Sequence, residues 1–323
     1  MTTTQPTATV AAVLAELDRS YPAEWAESWD RVGLVLGEPD APVDRVLCVV
    51  DCVPETVEQA VAVGAQLIVA HHPLLLRGVS SVAPTTVKGR IVHRLIRAGV
   101  ALFVAHTNAD VANPGVSDAL ARRLELTDLR PLRAAAPGSP AAGHGRGLGR
   151  IGSLPAPLTL AEFTAYAARR LPPTAWGVRA AGDPGRTVRT VAVSGGAGDS
   201  LLADAAAAGV DAFLTADLRH HPASEHLADG GPALVDAAHW ATERPWLDDL
   251  AAQLRGALGV DAVVSDVDTD PWTLHAAAPG SGAGATPPRD AVGATPPHGA
   301  VGATPPHGAV GAPRGGAPPA PPR

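Results

Sequence analysis

The chain reads as an α/β protein: two related α/β domains with mostly parallel or mixed sheets flanked by helices, then a disordered C-terminal tail. Three observations predict it. A helix–glycine–strand unit recurs: Ala98–Gly99 precede VALFVAH, Ala208–Gly209 precede VDAFLTAD, and Gly230–Gly231 precede PALVDAAH. Glycine closes each helix in the left-handed conformation, and a strand reached through a helix must pair in parallel. The stretch after Val188, strand then glycine loop then helix, mirrors Arg45–His72, as an ancient duplication would leave it. Finally, a nine-residue unit (GATPPRDAV, then GATPPHGAV twice) starts at Gly284, Gly293 and Gly302. Proline and glycine at that density with no apolar period build no core, so 277–323 is expected to be disordered.

Taken in order, residues 8–20 carry helical spacing in Val10, Val13, Leu14 and Leu17, and Pro22 closes them off. In EWAESWDRVGLVLGE, Trp25 and Trp29 read as packing residues. Arg45–Asp51 (RVLCVVD) is a continuously buried strand. Pro54–Val63 is a helix with proline at its start and Glu55 in its first turn. The next strand, Gln66–Ala70, stops at His71–His72–Pro73, because Pro73 cannot donate to a ladder. A further helix begins near Val116, Pro131–Pro157 reads as loop or linker, and Leu160–Arg170 reads as helix. The first domain is expected to combine 1–128 with 235–276, and the second to span 129–234.

Composition narrows the function. The 323 residues carry a formal net charge of -7, and Lys88 is the sole lysine, so no basic stripe exists to neutralise phosphates. Nucleic-acid binding is disfavoured. The N-terminus lacks the features of a signal peptide and no run reaches membrane-span length, so a soluble cytoplasmic protein is expected. Cys48 and Cys52, four apart in an extended chain, lie roughly 13 Å from each other. That is too far for a disulfide, and both read as core residues.

Four clusters carry chemistry. His71, His72, His106, Asp217 and His239 all fall at C-terminal strand ends, where open parallel sheets collect ligands. Asp110 follows His106 within one turn, as a ligand or as the cap of the next helix. His239 and Glu243, four apart, share one helical face and offer a nitrogen and a bridging carboxylate. The set His71, His72, Asp110, His239 and Glu243 exceeds a three-ligand catalytic zinc and suits two divalent ions. Mixed nitrogen and oxygen ligation does not choose among zinc, iron, manganese, cobalt and nickel. The loop SGGAGDS (Ser194–Ser200) is either a tight structural turn or an anion cradle, and Asp217 stands where a dinucleotide fold places its ribose carboxylate. Within DLRHHP, His221 is a candidate for proton transfer, as is His106, which could also act from outside the ligand set.

EWAESWDRVGLVLGEP, AHHPLL, AHTNAD, VAVSGGAGDSL, TADLRHHPASEH and DAAHWATE occur in that order. Together they resemble the GTP cyclohydrolase 1 type 2 family, also called the Nif-three-like family, over about residues 8–276. The resemblance implies that His71, His72, Asp110, His239 and Glu243 hold a dinuclear metal centre between two related α/β domains, in a ring-shaped homohexamer. It also implies attack of metal-activated water on the GTP purine ring with formate release. The alternative within the family is a metal-binding scaffold or regulatory partner without turnover. Ala238 stands where the family often has glycine, and Thr215–Ala216–Asp217 where it reads TGD; neither change removes a ligand.

Overall fold

The computed structural model describes residues 8–276, so the expected disorder of the repeat tail lies outside the described residues. The described residues up to His275 form one compact unit. Its elements are β1 (Ala8–Thr9), α1 (Val10–Ser20), β2 (Gly33–Leu36), β3 (Pro42–Val43), β4 (Arg45–Val49), α2 (Pro54–Ala62), β5 (Leu67–Ala70), α3 (Val87–Ala98), β6 (Ala101–Val104), α4 (Thr107–Val111) and α5 (Val116–Arg123). There follow β7 (Thr127–Ala134), β8 (Gly147–Thr159), α6 (Leu160–Arg170), β9 (Val178–Ala181), β10 (Thr187–Ala197), α7 (Leu202–Ala208), β11 (Ala212–Ala216), α8 (His220–Ala228), β12 (Ala233–Ala237), α9 (His239–Leu258) and β13 (Asp261–Val264).

Two sheets organise these elements. The first has the order β13-β4-β5-β6-β2 and the second β7-β8-β10-β11-β12-β9. Strands β4, β5 and β6 pair in parallel through α2 and α3, and β10, β11 and β12 do the same through α7 and α8. The helix–glycine–strand repeat therefore marks the parallel centre of each sheet. Gly99 and Gly209 cap α3 and α7 at φ 66° and 64°, the left-handed geometry expected of them. The boundary drawn at 234/235 falls inside β12, which pairs in the second sheet and leads directly into α9. Helix α9 packs against α5 and β10 as well as β4 and β13, which brings the ends of the two sheets together.

The segment 131–157 is not a linker. It holds the end of β7 and most of β8, paired antiparallel from Thr127↔Ser153 to Ala134↔Gly147, with β8 also against β10. Composition misleads here because the strand is made by its partners. Pro131 is tolerated because β7 is an edge strand, and Gly152 leaves room for Leu126 and Leu129, whose atoms lie 2.8 Å from where a Cβ would sit. By contrast, α6 begins and ends where expected, with a Thr159–Glu162 capping box.

The expectation for the tryptophans is half right. Trp25 packs against the core with Arg146 stacked 4.3 Å from its ring centre, whereas Trp29 is 54% exposed and meets His106 edge-on. Cys48 and Cys52 are free and buried, and burial pushes both thiols up to about 12. Among the described residues no helix is long and apolar enough to cross a membrane.

Candidate metal centre

Strand ends supply the site. Strand β5 stops at Ala70, so His71 and His72 project from its C-terminal end. His106 follows the end of β6, Asp110 lies on the short α4, and His239 opens α9 just beyond β12. One helical turn further on α9 stands Glu243. All five expected ligands, together with His106, gather in one place. Asp110 sits inside α4, while the cap of α5 is made by Gly115 and Asp118, so Asp110 is free of the capping role.

Every imidazole in the cluster is held from behind. His71 Nδ1 donates to the Ala105 carbonyl at 2.9 Å, and His72 Nδ1 to Asp51 Oδ1 at 2.7 Å. His239 Nδ1 donates to Asp217 Oδ2 at 2.7 Å, and His106 Nδ1 to Asp30 Oδ1 at 2.9 Å. A carbonyl or carboxylate only accepts, so each Nδ1 carries the proton and each neutral ring keeps its lone pair on Nε2. Orienting a metal-binding histidine through its far nitrogen is the usual role of such outer partners.

Those lone pairs converge on one carboxylate. Glu243 Oε1 lies 3.1 Å from His239 Nε2 and 3.5 Å from His71 Nε2, and Glu243 Oε2 lies 3.1 Å from His72 Nε2. His71 Nε2 is also 3.7 Å from Asp110 Oδ1, and the Nε2 atoms of His72 and His239 are 3.2 Å apart. Lone pair faces lone pair, and the buried His71 Nε2 and Glu243 Oε2 have no hydrogen-bond partner. Buried polar atoms without partners are costly, and only a proton or a cation between them resolves this arrangement. The donor set fits divalent cations: one group able to hold a metal joins His72, His239 and Glu243, and another joins His71, His72 and His106.

The electrostatics say the same. Burial works against charge at His72 and His239, but the Glu243 carboxylate and the bonds to Asp51 and Asp217 outweigh it. They push His72 up to about 10 and His239 up to about 11. His71 is raised as well, Glu243 and Asp110 overcoming its burial. Burial raises Asp110, and opposes charge on Glu243 too, but there the three imidazoles win and hold the carboxyl well below its ordinary range. A group whose folded pKa is raised stabilises fully below its unfolded value and loses that contribution as pH climbs through the folded one. Metal-free protein is therefore expected to lose melting temperature between the ordinary histidine value of 6.5 and about 10, while metal-loaded protein holds steady across that interval. Calorimetry with and without chelator checks this.

Sequence reasoning missed two residues that position the histidines. Asp51 ends the β4 segment, a strand-end position like those of the histidines, so its signal was available. Asp30 had none: it comes from the loop before β2 and accepts from His106 Nδ1 and the Thr107 amide and hydroxyl. Asp217, which stands where a dinucleotide fold would place its ribose carboxylate, instead accepts from His239. The glycine loop is no anion cradle. At Gly196 (φ +66°) a Cβ would sit 2.4 Å from Glu243 Oε1, and at Gly198 it would sit 2.1 Å from the Thr215 hydroxyl oxygen. These glycines admit the protein's own side chains, and Gly196 lies against Glu243 and His239 of the candidate metal centre. His221 is exposed at the start of α8, its ring beside His220, and is not among the residues gathered at Glu243.

A profile of the family described as Duf34/NIF3 (NGG1p interacting factor 3) matches residues 8–271. The chain belongs to that family. A Streptomyces coelicolor relative named GTP cyclohydrolase 1 type 2 homolog is 58% identical over 285 residues, covering 86% of this chain and 99% of that protein. A Mycobacterium tuberculosis relative of the same name is 41% identical, covering 82% and 97%. Among solved structures, a Staphylococcus aureus hypothetical protein superposes with a TM-score of 0.75 at 27% identity, over 83% of this chain and 99% of that one. A Bacillus cereus protein related to NIF3 shares the fold, with a TM-score of 0.77 at 23% identity over 84% and 100%.

Family membership accords with the resemblance carried by the strand-end motifs. Within this family fold, Asp217→Asn tests the outer shell. It removes the carboxylate charge from the acceptor that fixes the His239 tautomer, and puts an NH2 in place of one of its two oxygens, while leaving His239 itself unchanged. Metal affinity is expected to fall roughly 10–100-fold, measured by competition with a chromophoric chelator.

Proposed function

We propose that this chain is a dinuclear metal-dependent hydrolase acting on a purine nucleotide, with GTP ring opening and formate release as the candidate reaction. One observation carries the reading: a single buried carboxylate, Glu243, stands between the inward-facing nitrogens of three histidines from two sheets. His71, His72, Asp110, His239 and Glu243 would hold two divalent cations. Bound there, the cations supply a Lewis acid and a nucleophile from water at neutral pH. The chain's own contribution is orientation. Asp51, Asp217 and the Ala105 carbonyl lock the ring tautomers, and Asp30 holds His106 at the edge of the cluster, placed to shuttle a proton.

The relatives named GTP cyclohydrolase 1 type 2 homolog support the substrate assignment. So does a second cavity that carries Arg219 and shares Arg179 with the one opening on His72 and His239; the two guanidiniums, paired with Asp199 and Asp236, offer cations to a phosphate chain. The test is formate release from GTP by the metal-loaded protein. Release above a His72→Ala, Asp110→Asn control is expected, and its absence ends the cyclohydrolase reading.

A second reading is a metal-binding scaffold without turnover, favoured by the family description as an interacting factor. It predicts retained metal, a bound partner and no substrate depletion across a nucleotide panel. A homohexamer belongs to either reading, supported by exposed Val79, Val82, Val87 and Ile96 around the start and end of α3. Light scattering at six protomer masses tests it.

A further inference from the structure

Beside the metal centre lies a cavity of 390 Å³ that the chemistry above does not use. It opens on His72 and His239, and its far wall is made by Trp176, Arg179, Asp270 and Trp272. That size lies within the range of pockets that enclose small ligands. The two indoles stand 5.6 Å apart at an interplanar angle of 35°, and Arg179 stacks on Trp176 at 4.5 Å. Trp272 is 57% exposed, an unusual position for so large an apolar surface unless something covers it.

Asp270 is the other unexplained group. It is only 8% exposed, its Oδ1 accepts the Trp272 amide at 3.1 Å, and among the described residues no cationic side chain pairs with it. The remaining acids of the cavity are engaged: Asp51 with His72 and Thr269, Asp217 with His239. A nearly buried carboxylate with an open oxygen beside an aromatic wall selects a flat ligand bearing N–H donors. A cationic ligand is disfavoured, because the Arg179 guanidinium already lies over Trp176 in the same wall. A phosphate chain is disfavoured by Asp51, Asp217 and Asp270, and would extend toward the adjoining cavity that shares Arg179.

We propose that this cavity is a ring-binding subsite for a neutral, donor-edged heterocycle of the guanine type, with Trp272 stacking on the ring and Asp270 accepting from its N–H edge. The inference deepens the hydrolase reading and rests on it, since the subsite places the ring beside His72 and His239. Trp272, Trp176 and Asp270 become specificity residues, distinct from the metal ligands.

Calorimetric titration of the metal-loaded full chain with guanosine and with inosine, which lacks the exocyclic amine, tests the subsite without requiring turnover. Guanosine is expected to bind about tenfold tighter than inosine, as befits one charge-assisted hydrogen bond. Trp272→Ala is expected to weaken guanosine about tenfold and Trp272→Phe to restore most of it. Asp270→Ala, which removes both acceptor oxygens, is expected to erase the preference over inosine. Metal content and melting temperature of the variants report whether the fold is kept. No guanosine binding, equal binding of the two nucleosides, or indifference to both substitutions overturns the subsite. Parallel formate assays separate the two claims. Discriminating guanosine binding without formate release upholds the subsite and removes the hydrolase reading, whereas formate release unaffected by either substitution does the reverse.

Discussion

Glu243→Ala is expected to strip the centre of divalent metal, with affinity falling by more than the roughly 10–100-fold that loss of an outer partner brings. The reason is position. The two oxygens of Glu243 lie within 3.5 Å of three imidazole nitrogens, and among the described residues no other carboxylate approaches all three. Glu243→Gln keeps the shape and one acceptor oxygen but loses the charge, so it should bind metal weakly. The fold should survive both changes, because removing the carboxylate leaves neutral imidazoles whose Nδ1 atoms remain bonded to Ala105, Asp51 and Asp217. Elemental analysis after dialysis, with circular dichroism alongside, reads both outcomes. Full metal retention in Glu243→Ala would place the cations elsewhere.

The second large effect concerns stability. Arg150 on β8 is 1% exposed, and its guanidinium is consumed by Asp118 Oδ1 at 2.8 Å, Asp118 Oδ2 at 2.7 Å, and the carbonyls of Gly147, Gly149 and Ala112. Among the described residues Asp118 is its only carboxylate partner, and it also caps α5 through the Gly115 amide. Asp118→Ala leaves a buried cation without a counter-charge, which costs about 3–5 kcal/mol. For a chain of this size that corresponds to a drop of roughly 10 °C in melting temperature. Replacing both partners, Asp118→Leu with Arg150→Met, is expected to recover much of the loss, because the desolvation penalty disappears with the charges. Calorimetry of the single and double variants distinguishes an ion pair from a general packing defect.

The residues that gather at the candidate metal centre were legible because their signal is local. A buried strand that ends abruptly in a polar side chain needs only a few residues to be recognised, and β5, β6, β11 and β12 all end that way. The i, i+4 spacing of His239 and Glu243 likewise states their common face without further information. The capping glycines told of parallel pairing for the same reason: a left-handed residue after a helix is a property of one position.

What tertiary structure alone decided is everything that depends on a distant partner. Strands β7 and β8 were hidden in alanine, glycine and proline, since their pairing comes from each other and from β10 rather than from their own propensity. Gly196 looked like part of a phosphate loop until Glu243 and His239 were found to occupy the space its side chain would fill. Asp30 reaches His106 across 76 positions, and Asp270 reaches the cavity wall from a segment with no pattern of its own. Ligand identity is written in strand ends and helix turns. The tautomers, the facing lone pairs and the pocket beside them arise only where the ends of two sheets meet.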